Sequence, residues 1–119
     1  MQPVITNNIE AIRALCKQHH VKELYVFGSA VRDDFNEESD VDFLYVFDLD
    51  DFNLQETPGQ WPYSPFAEFF KLKNGLEVLM ARKVDVISYN DISSKVFKEM
   101  ADKEKELVYA KTKPQFISV

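Results

Sequence analysis

Residues 25–47 read YVFGSAVRDDFNEESDVDFLYVF, and the fold turns on how that stretch is parsed. Its front, with Lys22 to Gly28 reading KELYVFG, is rich in β-branched and aromatic residues and stops at glycine, the pattern of a strand. SAVRDDF then predicts a turn or a single helical turn. VDFLYVFD, Val41 to Asp48, is the strongest strand in the chain. Its near-continuous apolar run predicts burial on both faces, as in the middle of a sheet.

Working outward, the N-terminal side carries a helix from about Asn8 to His20, with Ile9, Ile12, Leu15 and Cys16 on one face. Asn7 and Glu10 have the spacing of a capping box. On the C-terminal side, Leu49 to Tyr63 reads as a loop holding an aromatic knot at Trp61, Pro62 and Tyr63. Ser64 and Pro65 then start a second helix. Its apolar stripe of Phe66, Phe69, Phe70, Leu76, Leu79 and Met80 is expected in the core, with Gly75 as its weak point. KVDVIS, Lys83 to Ser88, is a third strand. Asp91 to Lys103 spaces Ile92, Val96, Phe97 and Met100 as a third helix, and Leu107 to Ala110 gives a fourth, edge strand. The expectation is one domain over residues 1–119, an α+β fold with a mixed sheet of about four strands and three helices.

Charge is distributed unevenly. The 119 residues carry 14 Lys and Arg against 20 Asp and Glu, a formal charge of -6. Nine of those acids fall between Asp33 and Asp51, where there is no Lys or Arg. A net negative chain is poorly suited to binding nucleic acid directly. One cysteine, Cys16, makes no internal disulfide or thiolate cluster, which suits a reducing compartment. No stretch approaches the roughly 20 apolar residues of a membrane span, and the N-terminus lacks a signal-peptide pattern. A cytoplasmic location is therefore expected.

Three features carry chemistry. Asp40 and Asp42, at i and i+2 on one strand, point to the same face. Asp85 lies among valines in another strand, where an unpaired carboxylate is costly. Carboxylates that converge need a cation, and magnesium takes one or two carboxylates together with phosphate oxygens. Gly28 and Ser29 end the first strand, where glycine admits a close phosphate and serine offers a hydroxyl. Arg32 can fold its planar fork over a phosphate. Each feature alone has a plain reading, since D-x-D pairs and Gly-Ser turns are common. Their combination points to phosphoryl or nucleotidyl transfer.

Gly28-Ser29, ten residues, then Asp40-Val41-Asp42 resembles the GS-x10-DxD signature of the polymerase β-like nucleotidyltransferase superfamily. YVFGSAVR and SDVDFLYVF look like its minimal nucleotidyltransferases. The resemblance implies that Gly28, Ser29, Arg32 and Ser39 meet a nucleotide such as ATP. It further implies that Asp40 and Asp42 hold Mg2+, and that Asp85 is the third metal-binding and catalytic aspartate, helping to activate an acceptor hydroxyl. Members of this kind are often antitoxins that silence an all-helical HEPN-domain toxin by transferring AMP onto a tyrosine. Two departures stand out: Val31 precedes Arg32 and Asp33 follows it, where many members read G-S-x-A-R-G, and the segment from Asp48 to Tyr63 is extended and unusually acidic and aromatic. A contact-only binding module and transfer to a small molecule such as an aminoglycoside remain alternatives.

Lesser features have structural readings. His19 and His20 suit the negative end of a helix. Lys71, Lys73, Arg82 and Lys83 read as a solvated face, and the last residues as a frayed end. Asp33, Asp34, Glu37, Glu38, Asp48, Asp50 and Asp51 read as a solvated acidic rim.

Overall fold

Val41–Phe47, the strand with the longest apolar run, lies inside a four-stranded sheet, where its backbone is paired on both sides. The computed structural model describes residues 1–52 and 64–111. The elements are helices α1 (Pro3–Thr6) and α2 (Ile9–Gln18), strands β1 (Val21–Phe27) and β2 (Val41–Phe47), helix α3 (Pro65–Met80), strand β3 (Val84–Ser88), helix α4 (Lys95–Glu104) and strand β4 (Glu106–Ala110). The sheet order is β3-β2-β1-β4. Strand β1 is antiparallel to β2 and β4, whereas β2 and β3 run parallel. Parallel neighbours need a crossover, and α3 supplies it.

All four expected strands are present, β4 at an edge. The three expected helices are joined by a fourth, the single turn α1, in which Pro3 takes the first helical position. That turn displaces the expected capping box. The α2 cap is Asn8 without a side-chain bond, because Asn8 Nδ2 instead donates to Val4 O at 2.8 Å. Ser64 does cap α3, accepting the Ala67 N–H at 3.3 Å. Ser94 caps α4 in the same way, accepting the Phe97 N–H at 3.2 Å, so α4 starts after a separate turn at Tyr89–Asp91.

Strand alternation sorts side chains onto two faces. Leu24 and Val26 of β1, Val41 and Phe43 of β2, and Val84 of β3 meet Ile12 and Cys16 of α2 and Leu72, Leu76 and Met80 of α3. On the other face, Phe27, Leu44 and Ala101 form a smaller cluster with Tyr25, Ile87 and Phe97. Burying each large side chain contributes roughly 1.5–3 kcal/mol, so the first face dominates the core. Gly75 does not break α3. It admits α2, since a Cβ there would stand 2.7 Å from Leu15 Cδ1.

Two helical stripes face differently from expectation. Phe66 is 74 % exposed and Phe70 is also exposed, their rings 4.9 Å apart, while Glu68 between them is buried. On α4, Val96 is 79 % exposed and Met100 is exposed, and the buried contact is Ala101. His19 and His20 are tied to carboxylates and serve as more than dipole partners. His19 Nδ1 lies 2.7 Å from Glu68 Oε2, both side chains buried. That pair is what turns Glu68 inward, and it rotates the start of α3 so that Phe66 faces outward. His20 Nδ1 lies 3.0 Å from Asp51 Oδ2.

The rim after β2 is likewise paired, not merely solvated. Lys111 Nζ reaches Asp48 Oδ2 at 2.6 Å and Asp51 Oδ2 at 3.4 Å. The Lys111 bond holds the Asp48 carboxyl below its ordinary value. Residues 49–52 form a short helical turn. The aromatic knot at Trp61 and the end of the chain beyond Lys111 lie outside the described residues. Among the described residues no helix is long and apolar enough to cross a membrane.

Candidate active site

Phe27, Asp42 and Asp85 sit in register across β1, β2 and β3. All three belong to the face that α4 only partly covers, since their neighbours two residues along, Tyr25, Leu44 and Ile87, pack in the smaller cluster. Asp85 therefore stands directly beside Asp42, about 4.8 Å away in the spacing of neighbouring strands. Burial is the largest cause that pushes the Asp42 carboxyl up, to about 6. Asp85 adds repulsion and accepts a hydrogen bond from the protonated carboxyl, and Asp40 adds further repulsion. The charge of Arg32 opposes the rise.

Chain direction reverses at Gly28–Val31, one 3-10 turn directly after β1. Gly28 has φ +72, a left-handed conformation costly for any residue with a Cβ. Space is the second constraint, because a Cβ on Gly28 would stand 2.7 Å from Asp42 Oδ2. Glycine here makes room for the carboxylate as well as for any phosphate. Ser29 Oγ donates to Asp40 O at 3.3 Å, pinning the turn to the residues that enter β2.

The loop between that turn and β2 is closed by its own polar groups. Ser39 Oγ accepts the Asn36 N–H at 3.0 Å, and Asn36 Oδ1 accepts the Glu38 N–H at 2.8 Å. Arg82, just past α3, donates through Nη1 to Asn36 O and Ser39 O, each at 3.0 Å. Its guanidinium also lies 4.7 Å from the Phe35 ring centroid. Arg82 is thus a bracket on the loop, where its sequence neighbours suggest a solvated face. A backbone contact 43 residues away leaves no local signature.

Asp40 lies one residue outside β2, its Oδ2 4.0 Å from Lys83 Nζ. Among the described residues no three His, Cys, Asp or Glu side chains converge closely enough to hold a metal as they stand. The arrangement is a close pair, Asp42 and Asp85, with Asp40 turned toward Lys83. Mutual repulsion accounts for that split, since three carboxylates at one point would each disfavour the others' charge. The donor set nonetheless fits a hard divalent cation: all-carboxylate oxygen ligands, two of them strained against each other. Arg32 reaches the rim of the site, with Nη1 3.0 Å from Glu104 Oε1 and Nε 3.4 Å from Asp34 Oδ1. Glu104 was not among the residues the sequence singled out.

The family profile described as polymerase β nucleotidyltransferase matches residues 10–114. The chain belongs to that family. As a polymerase β-type nucleotidyltransferase it is similar to protein adenylyltransferase MntA of Thermococcus cleftensis, 31 % identical over 97 residues that cover 82 % of each chain. It is 30 % identical over 97 residues to a provisionally named protein adenylyltransferase of Methanocaldococcus jannaschii, covering 82 % of this chain and 84 % of the relative. Among solved structures, a provisionally named minimal nucleotidyltransferase superposes with a TM-score of 0.64 at 25 % identity, over 86 % of this chain and 90 % of that one. A toxin–antitoxin complex with AMP-PNP matches with a TM-score of 0.61 at 16 % identity, over 87 % of this nucleotidyltransferase and 74 % of that chain, a likeness of fold. The mixed four-stranded sheet is the family's, and the chain is an enzyme of the nucleotidyltransferase class.

Proposed function

We propose that this nucleotidyltransferase moves AMP from ATP onto a hydroxyl group of a protein partner, and that the partner is a HEPN-type toxin which it silences. The observation carrying this reading is the register of Asp42 with Asp85 beside the Gly28 turn. Relatives named as protein adenylyltransferases support the choice of AMP and of a protein acceptor. The fold neighbour solved as a toxin–antitoxin complex with AMP-PNP supports the choice of partner.

Asp40, Asp42 and Asp85 would hold Mg2+, with Gly28, Ser29, Arg32 and Ser39 on the side of the nucleotide. The ion, when bound, neutralises triphosphate charge and lowers the pKa of the attacking hydroxyl. Chain residues do the rest. Gly28 keeps the backbone low beneath the phosphates, and Ser29 presents its N–H at the turn. Arg32 balances charge on the leaving side. The acceptor oxygen attacks the α-phosphorus in line, a new O–P bond forms, and the bond to the β-phosphate oxygen breaks. Pyrophosphate departs with the bonding electrons, and Asp85 takes the hydroxyl proton. Positioning supplies most of the rate in such a transfer.

The test is label transfer from ATP labelled at the α-phosphate, with magnesium and a HEPN-domain protein. Label on the partner, lost in Asp42→Asn and Asp85→Asn, is expected. One observation favours a second reading, contact-only inhibition: Asp40 is turned toward Lys83. No label transfer, from a preparation whose Asp42→Asn variant still neutralises the toxin, would establish that alternative instead.

A further inference from the structure

Glu104 is the last residue of α4, where the negative end of the helix disfavours a carboxylate. It is also poorly satisfied. Its side chain is 23 % exposed, and among the described residues Oε2 is buried without a hydrogen-bond partner. A residue so placed gains little for the fold. Among the described residues its one strong contact is the 3.0 Å bond from Arg32 Nη1, made across 72 residues of sequence.

Arg32 follows directly on the Gly28–Val31 turn, and α4 packs against that turn. Asp34 takes Arg32 Nε from within the loop at 3.4 Å. Among the described residues Nη2 of the fork has no partner, while the guanidinium lies near enough to Asp42 for its charge to be felt there. Two edges of the fork are therefore held by carboxylates and a third is open at the rim of the site. An arginine on a flexible stem loses rotamer freedom when it grips a phosphate, and a prior anchor removes much of that cost.

We propose that Glu104 is a positioning residue for the nucleotide, acting through Arg32, whose fork it holds ready for the triphosphate. The inference rests on the reading of Arg32 as a phosphate ligand. It accounts for an acidic side chain at the wrong end of a helix with a buried oxygen left over. α4 then serves as a strut that carries an anchor from the far end of the chain to the nucleotide.

Binding of a non-hydrolysable ATP analogue with magnesium tests it, by calorimetry on the full chain without partner. Glu104→Ala is expected to weaken binding about tenfold, with the melting temperature unchanged or raised. Glu104→Gln, which keeps an acceptor for Nη1, should recover part of the loss. In Arg32→Ala, itself weakened, adding Glu104→Ala should cost nothing more. Wild-type affinity in Glu104→Ala, or losses that add in the double variant, would overturn the role of Glu104 and leave the proposed activity standing. A wild-type chain that binds no ATP analogue would instead overturn the activity, and this inference with it. A neutral Arg32→Ala would remove Arg32 from the nucleotide and sink the inference alone.

Discussion

Asp42 and Asp85 occupy one rung of two parallel strands, and together with burial that proximity leaves Asp42 half-titrated near pH 6, not near its ordinary 3.8. An acid so perturbed is a cost to the fold, and functional sites are where such costs concentrate.

In chelator-treated protein the folded state keeps a proton on Asp42 up to about pH 6, while the unfolded chain releases it near 3.8. Between those values the folded state binds more protons, so stability falls as pH rises through the window. Above pH 6 the whole penalty is present. Two units correspond to about 3 kcal/mol, which partial exposure to water reduces to about 1–2 kcal/mol. Asp42→Asn should therefore be more stable than wild type by that amount at pH 7.5 and equal to it below pH 4. Urea denaturation across pH reads this directly, and a less stable Asn variant at pH 7.5 would contradict it.

Magnesium should act in the opposite direction on the wild type. At tenfold its dissociation constant, a ligand that binds only the folded state adds about 1.4 kcal/mol. The wild-type melting temperature should rise with magnesium at pH 7.5, and those of Asp42→Asn and Asp85→Asn should stay flat. Equal rises in all three proteins would place the ion elsewhere.

Gly28→Ala tests the room beside Asp42. The left-handed backbone costs a residue with a Cβ roughly 1–2 kcal/mol, and the new methyl would stand 2.7 Å from Asp42 Oδ2. The methyl crowds the carboxylate from the β1 side, toward Asp85 on β3. Expected outcomes are a stability loss of that size, a higher Asp42 pKa by carbon-detected titration, and transfer activity reduced at least about tenfold.

Away from the site, the buried His19–Glu68 pair closes α2 onto α3 at 2.7 Å. Removing one partner of a buried pair costs on the order of 3 kcal/mol. Glu68→Ala should lose about that much by chemical denaturation, while nucleotide affinity below the transition stays within about twofold. A loss under about 1 kcal/mol would mean that the pair is incidental.

Exposure separates Phe66 and Phe70 of α3 from Leu72, Leu76 and Met80. Phe66→Ser should change stability by about 0.5 kcal/mol or less, because Phe66 faces solvent. Leu72→Ala, in the core, should cost about 2–5 kcal/mol. Comparable losses in the two variants would show that the Phe66 ring is covered in solution.

The strands and the positions of Asp42 and Asp85 along them were legible because both depend on neighbours two residues away. Alternation around Val41 put Asp40 and Asp42 on one face without knowledge of the rest of the chain. The pairing of Asp42 with Asp85 needed more, since it depends on α3 carrying the chain back parallel to β2. Helix faces were harder. Periodicity shows that Phe66 and Phe70 share a stripe, but not that His19 turns Glu68 inward in their place. Glu104 and Arg82 were illegible for the same reason: each acts on atoms more than 40 residues distant.

The bracket that Arg82 forms over Asn36 and Ser39 has a consequence for what lengths of chain the site accepts. Ser29 ties the start of the interval to Asp40 at its close, and Arg82 clamps the carbonyls of Asn36 and Ser39, so residues 36–39 behave as a spacer of set length. One added or missing residue inside 36–39 shifts Asp42 onto the opposite face of β2 or breaks the clamp. An insertion at Asp33 or Asp34, which the clamp does not grip, would be absorbed. The ten-residue interval is thus a ruler with one rigid end and one elastic end.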